Sequence, residues 1–332
     1  MKRSTLSKSI DIALETRRPL FIHGAPGVGK SKIVCQAAER HKIECLDWRL
    51  VLMDSVDLRG IPSVTSDGLT RWNPPAELPR KGRGILFLDE FPQASVQVQN
   101  ASTQLILDRK LGSYVLPDGW VCIAAGNRDS DRAATQRMPS HVANRFKHVT
   151  LDVDVDEWVE WAEENGIDPR IVAYHKFRRN HLHLFDPKSQ EKAFASPRSW
   201  EFASDELKAH ATLSDALSAS EQLESFAGIV GQIAATDFVG FLRILEKLVT
   251  VDSILLSPET AALSEDAAVT YALVYALLDR ADRKTLAAID TYLRRIASEW
   301  SFAFYKLIER RKPELCKTKE FVKWATENQA AL

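Results

Sequence analysis

The sequence predicts an α/β domain on a mostly parallel sheet, followed by a region that is nearly all helix. Three observations carry this. Over residues 1–150, short β-rich apolar runs alternate with longer segments of helical spacing. After Asp152 the strand signal disappears, and apolar residues recur every three or four positions. A glycine-rich turn, Gly24–Ser31, lies between the first apolar run and the helical segment that follows it. With 332 residues, 45% hydrophobic and 27% charged, the composition is ordinary for a globular protein, and the length suits two or three domains, each with its own core.

In chain order, Leu20-Phe21-Ile22-His23 reads as the first strand and Ser31–Arg40 as the helix after it. Cys45–Trp48, Ile85–Leu88, Val121–Ala125 and His148–Leu151 supply four more strands. Beyond them, helical spacing runs through Asp156–Asn165, Arg198–Ala211, Glu221–Val249, Asp266–Arg280 and Thr285–Arg310. Breaks fall at Pro187, Pro197 and Pro258, because proline disfavours helical backbone in the residue before it. The expected division is an α/β domain over 1–152, a helical lid over 153–211 and a helical extension over 212–332. The acidic run Asp152–Glu157 reads as a domain boundary and a helix first turn, since the glycine-assisted turn and ligand spacing of a cation loop are missing.

Lysine and arginine number 44 against 45 aspartates and glutamates, a net charge of -1. No broad basic field exists to grip a long nucleic acid through its phosphates. Cys35, Cys45, Cys122 and Cys316 are far apart, without a C-x-x-C pair, so neither a zinc site nor a disulfide framework is readable and a reducing, cytoplasmic setting is expected. Met1–Thr5 leads into a polar, amphipathic stretch, and no window reaches 18 uninterrupted apolar residues, which argues against export and against a membrane span.

The chemistry concentrates in Gly24-Ala25-Pro26-Gly27-Val28-Gly29-Lys30-Ser31, a complete G-x-x-x-x-G-K-S between strand and helix. Glycines let backbone N–H groups turn inward around phosphate oxygens, Lys30 brings a point charge, and Ser31 offers a hydroxyl to Mg²⁺. Further on, Ile85–Leu88 ends in Asp89-Glu90, at the strand end where open α/β sheets bind ligands. One carboxylate suits a hydrated Mg²⁺ and the next suits activation of the attacking water. Asn127 follows the strand Val121–Ala125 and brings an amide to the same edge, or serves there as an ordinary turn residue. No guanine-reading Asn-Lys-x-Asp segment occurs, which favours ATP.

On these residues, roughly 15–210 of the chain resemble the AAA+ ATPases and, within them, the MoxR-like group of bacterial and phage genomes. The resemblance implies Walker A at Gly24–Ser31, Walker B at Ile85–Glu90 and a first sensor at Asn127. It implies an arginine finger in Ala143-Asn144-Arg145-Phe146, with Arg145 in that role and Arg137 as the alternative. It places a second sensor at Arg198, after Ser196-Pro197. Two hairpin patterns, Gly60–Trp72 and Leu111–Trp120, resemble inserts that face a ring pore or partner; a purely structural role stays open for both. Phe91-Pro92-Gln93-Ala94 departs from the Asn-Arg pair usual after Walker B. Tyr174–His183, with three histidines and a cationic run, reads as a solvated helix end with apolar anchors.

The function implied is that of an ATP- and Mg²⁺-dependent AAA+ subunit in a homo-oligomeric, hexameric ring. It would remodel or assemble a protein partner, with a von Willebrand factor A-type protein as companion. Alternatives are a nucleic-acid motor or loader, and a slow nucleotide switch.

Overall fold

The computed structural model describes residues 1–131, 138–210, 217–247, 250–264 and 266–329. Among the described residues the nine strands are β1 (Leu20–His23), β2 (Glu44–Arg49), β3 (Ile61–Val64), β4 (Thr70–Asn73), β5 (Arg83–Asp89), β6 (Lys110–Leu111), β7 (Tyr114–Val115), β8 (Gly119–Gly126) and β9 (Lys147–Thr150). All precede residue 152. The helices among them are α1 (Arg3–Thr16), α2 (Lys30–His41), α3 (Ser55–Arg59), α4 (Val96–Asp108) and α5 (Ser140–Ala143). Ten more follow: α6 (Val155–Glu164), α7 (Pro169–Phe177), α8 (Pro197–His210), α9 (Ala219–Val230), α10 (Gln232–Lys247), α11 (Val251–Leu256), α12 (Ala267–Arg280), α13 (Leu286–Leu293), α14 (Ser298–Arg311) and α15 (Lys319–Glu327). Two compact units result. One comprises 1–157, 183–191 and 196–198, and the other 158–182, 192–195 and 199–332. The expected boundary at 211 falls outside the described residues.

In the first unit, five strands form one parallel sheet in the order β2-β5-β8-β1-β9. β8 is inserted between β1 and β5, so the strand that leads into the glycine-rich turn and the strand that ends in Asp89 are not neighbours. That is the additional-strand form of the P-loop NTPase core. Side-chain alternation sorts the central strands onto two apolar layers. Ile85 and Phe87 join Ile22, Ile123 and Val149 beneath Leu6 and Ile10 of α1 and Ile33 and Val34 of α2. Leu86 and Leu88 face the other way, with Phe21, Cys122 and Ala124, beneath Val98 and Leu105 of α4. Sheets buried on both faces require near-continuous apolar strands, and the sequence supplies them.

Both hairpins form. β3 pairs with β4 and β6 with β7, each antiparallel. Every residue of β3 and β4 is exposed, and the Ser113 hydroxyl donates to the Trp72 carbonyl at 3.4 Å, linking the two hairpins. Tyr114 of β7, by contrast, points inward. It is 4% exposed, and its hydroxyl donates to the Pro79 carbonyl at 2.6 Å; burial pushes it up to about 12. Arg109 braces the same connection by donating to the Trp120 and Pro117 carbonyls at 2.9 and 2.6 Å.

The acidic run behaves as a helix start. The Asp154 carboxylate accepts from the Glu157 N–H at 3.0 Å and pairs with Lys2 at 2.9 Å.

The second unit is helical throughout its described residues. Ile254, Leu277, Ile289, Leu293, Phe304, Ile308 and Trp324 belong to one apolar cluster, where Tyr305 stacks on Trp324 at 4.8 Å. The expected continuous helix from 221 is broken at Gly231, whose φ of +83° ends α9; residues 248 and 249 lie outside the description. The helix expected over Thr285–Arg310 is likewise two, α13 and α14. Tyr174–His183 is the expected helix end, exposed over residues 177–180 after α7 stops, and its anchor extends to a histidine that the sequence reading left in solvent. Tyr174 and His175 are buried, with the His175 ring 4.4 Å from Trp200 and 5.1 Å from Trp158. Burial pulls His175 down to about 3, so it is neutral. The Tyr174 hydroxyl donates to Asp237 at 3.0 Å.

Among the described residues no helix is long and apolar enough to cross a membrane.

Candidate nucleotide site

The site forms where β1 ends. Gly24 leaves the strand with its N–H donating to the Gly126 carbonyl at 3.2 Å, which joins the turn to β8. Gly27 and Gly29 both take positive φ, +76° and +93°, a region that favours glycine. At Gly27 space is equally decisive, because a Cβ there would lie 2.6 Å from the Ser196 hydroxyl oxygen. Gly29 precedes α2, so the turn delivers the free N–H groups of a helix N-terminus to the edge of the sheet.

Lys30 folds back over the turn. Its ammonium donates to the Gly24 carbonyl at 2.8 Å, the Ala25 carbonyl at 3.1 Å and the Asn127 side-chain oxygen at 3.0 Å. Burial depresses it to about 8, while the Asp89 and Asp131 carboxylates pull the other way. The Ser31 hydroxyl donates to Asp89 at 2.6 Å, and the second Asp89 oxygen accepts the Glu90 N–H at 2.9 Å. Both motifs thus close on one point.

Glu90 itself has φ +56°. Among the described residues the other non-glycine positions with positive φ, Arg17, Lys42 and Arg109, cap helix C-termini, where that conformation is common. Glu90 instead follows β5 directly, a place where that conformation is uncommon for a residue other than glycine. It turns the chain into a short 3₁₀ helix, Phe91–Gln93, whose Pro92 abuts Gly126 so closely that a Cβ on the glycine would fall 2.2 Å from the proline Cδ.

Pro26, Gly27, Val28, Gly29, Lys30, Ser31, Asp89, Glu90, Asn127 and Arg198 all line one cleft of about 100 Å³. The Arg198 N–H donates to the Gly27 carbonyl at 3.2 Å. Gly24 and Ala25 enter through their carbonyls on Lys30. Arg145 does not line this cleft. Its guanidinium donates to the Thr103 carbonyl at 3.0 Å, at the C-terminal half of α4. Arg137, the alternative finger, lies outside the described residues.

Two residues escaped the sequence reading. Gln93 lines the cleft, and its Oε1 is buried without a hydrogen-bond partner among the described residues. The only signal was its place three residues after Glu90. His183 reaches the glycine-rich turn through the Pro26 backbone, with burial lowering its proton affinity and its Nε2 buried and unpartnered among the described residues. Nothing in its spacing could have indicated that.

The donor set fits nucleotide and metal alike. A serine hydroxyl and a carboxylate are the oxygen ligands that a hard cation takes, and loop N–H groups with an ammonium suit phosphate oxygens. An unpartnered buried amide oxygen beside them is a further polar group in need of a ligand.

No family model matches the chain, and no curated protein matches it. Solved structures similar to it include a point mutant of RuvB from Thermotoga maritima, at 16% identity and TM-score 0.37 over 82% of this chain and 70% of that one. NtrX from Brucella abortus in complex with ADP is similar at 16% identity and TM-score 0.42, over 92% and 67% of the two chains. The complex of NtrX with ATP gives 13% identity and TM-score 0.39, over 99% and 68%. Such distant likenesses leave the fold to the chain's own strand order and the chemistry to its own site.

Proposed function

We propose that this chain is a Mg²⁺-dependent ATPase of the AAA+ type, MoxR-like, working as a ring subunit that remodels or assembles a protein partner. The observation that carries the ATPase reading is the 2.6 Å hydrogen bond between Ser31 and Asp89, with Lys30, Glu90 and Asn127 lining the same cleft. Mg²⁺ held by Ser31 and Asp89 would supply positive charge to the β- and γ-phosphate oxygens. Lys30 exchanges one of its carbonyl acceptors for a phosphate oxygen, and the N–H groups of Val28–Ser31 turn toward the same anion. Glu90 accepts the proton of the attacking water, and Asn127 holds both Lys30 and the γ-phosphate end in place. Arg198, on the first turn of α8, offers its charge to the phosphates.

Arg145 would complete the site of a neighbouring copy, which makes a closed ring the active form. The exposed β3–β4 hairpin is the surface we assign to the partner, since Ile61, Val64 and Leu69 are 68%, 77% and 65% exposed there. The chain's near-zero net charge favours a protein over a long nucleic acid.

The deciding experiment compares Lys30→Ala with Glu90→Gln. Lys30→Ala is expected to lose nucleotide affinity. Glu90→Gln is expected to bind ATP and to turn it over at least a hundredfold more slowly, in line with loss of a general base worth about 10²–10⁴. Wild-type turnover by Glu90→Gln under saturating Mg²⁺ would remove Glu90 from the mechanism.

A further inference from the structure

The fold brings together two of the four cysteines, contrary to their separation in sequence. Cys35 lies on α2 and Cys45 on β2, and their sulfurs are 3.8 Å apart. A tight turn makes this possible. Lys42 takes φ +54°, and the Lys42 and Ile43 N–H groups close back onto the Glu39 and Ala38 carbonyls, so β2 runs directly under the helix it leaves. Both thiols are half-buried, whereas Cys122 is wholly buried in the opposite layer of the sheet. Cys316 belongs to the second unit.

We propose that Cys35 and Cys45 are a reversible redox-modification site, in which a peroxide oxidant joins α2 to β2 by a disulfide. From 3.8 Å the two sulfurs have to approach by about 1.7 Å to reach a disulfide bond of about 2.05 Å. Burial and the neighbouring Cys35 sulfur push the Cys45 thiol up to about 12, so Cys45 keeps its proton at neutral pH, and Cys35 is given the first encounter with the oxidant. The Cys35 sulfur attacks one oxygen of hydrogen peroxide, the O–O bond breaks, and a sulfenic acid and one water result. The Cys45 sulfur then attacks the Cys35 sulfur; the S–O bond breaks and hydroxide leaves with the Cys45 proton as a second water. Two electrons pass from the sulfurs to the peroxide, and atoms balance.

The position gives the bond its consequence. α2 begins with Lys30 and Ser31, while β2 pairs along its whole length with β5, the strand that ends in Asp89. The link therefore fastens the phosphate-binding helix to the neighbour of the carboxylate-bearing strand, and neither sulfur lines the cleft. It does not depend on the chain being an ATPase.

The test treats the full chain with hydrogen peroxide, blocks remaining thiols and maps peptides by mass. A species about 2 Da lighter, joining the peptides of Cys35 and Cys45 and reversed by dithiothreitol, is expected. Oxidation should also raise the thermal midpoint of the wild type by several degrees and leave Cys35→Ser unchanged. In Cys45→Ser, where no resolving thiol remains, dimedone should trap a sulfenic acid on Cys35. Oxidation of Cys35 or Cys45 to sulfinic acid with no cross-link in the wild type overturns the proposal, as does cross-linking that favours Cys316. The wild-type mapping needs no variant to fold.

Discussion

Ser31 and Asp89, 58 positions apart, meet through a 2.6 Å hydrogen bond from hydroxyl to carboxylate. A hydroxyl that donates to a carboxylate keeps its own lone pairs directed away from it. The pair is thus oriented in advance by the protein alone, and the neighbouring contacts of Lys30 follow the same plan.

The first prediction concerns pH. Burial holds Lys30 near 8 in the free protein, and a polyphosphate beside it favours the ammonium and raises that value. Nucleotide binding therefore takes up a proton above pH 8. Affinity should be flat below that point and fall with rising pH by up to about tenfold per unit until the bound-state value is passed. Calorimetric titration from pH 7 to pH 10 reads this directly; Lys30→Met should bind weakly and without that slope.

Gln93 should prove to be a kinetic residue. Replacing it with alanine removes the buried, unpartnered oxygen from the cleft, and turnover is expected to fall by about tenfold with KM for ATP changed less than twofold, as for loss of an interaction made chiefly in the transition state. A thermal midpoint matching the wild type would separate this from a packing defect. Unchanged turnover would return Gln93 to a structural role.

Gly27→Ala should damage the loop twice, through its φ of +76° and through a Cβ placed 2.6 Å from the Ser196 oxygen. A loss of about 1–3 kcal/mol of stability is expected, with weakened nucleotide binding. Ser196→Gly should restore only the steric part. Full rescue by that second change would show that backbone conformation contributes nothing.

Arg145 now spends its guanidinium on the Thr103 carbonyl, worth about 1–3 kcal/mol as a charged hydrogen bond. If it serves the site of a neighbouring copy, Arg145→Ala should lose far more turnover than that stability change explains. Mixed with Lys30→Ala in one oligomer, it should regain part of the activity. Rings shown to contain both variants but lacking turnover count against the trans role.

The two hairpins should separate under mutation. Tyr114→Ala opens a buried site and should cost about 3–5 kcal/mol, lowering stability and basal turnover together. Arg71→Ala with Trp72→Ala, on an exposed strand, should leave both intact and abolish stimulation by the partner protein. Loss of stability in that double variant would make the hairpin a brace.

Much of the first unit was legible because parallel strands buried on both faces read as unbroken apolar runs, and because the glycine-rich turn carries its glycines and lysine at a fixed spacing. Of the residues singled out in the sequence, Pro26–Ser31, Asp89, Glu90, Asn127 and Arg198 line the one cleft, while Gly24 and Ala25 lie behind it and Arg145 elsewhere. What escaped was whatever depends on tertiary closure. Nothing local tells that Tyr114 points inward or that Cys35 meets Cys45. The break between α13 and α14 spans Arg294–Ala297 without glycine or proline, and Ala297, the N-cap of α14, offers no side-chain cap, so the pattern alone runs through it. By contrast Gly231, which ends α9, was visible but too weak a signal on its own, because a single glycine inside a helical pattern is tolerated.

The close approach of Pro92 to Gly126 restricts the order in which this chain can change. Any side chain at position 126 would strike the proline ring while Pro92 is present, so such a substitution is lethal to the local geometry until position 92 has changed first. History at this pair is therefore one-way: relatives with a larger residue at 126 are expected to have lost the proline, and grafting their residue alone into this sequence should fail where grafting both succeeds.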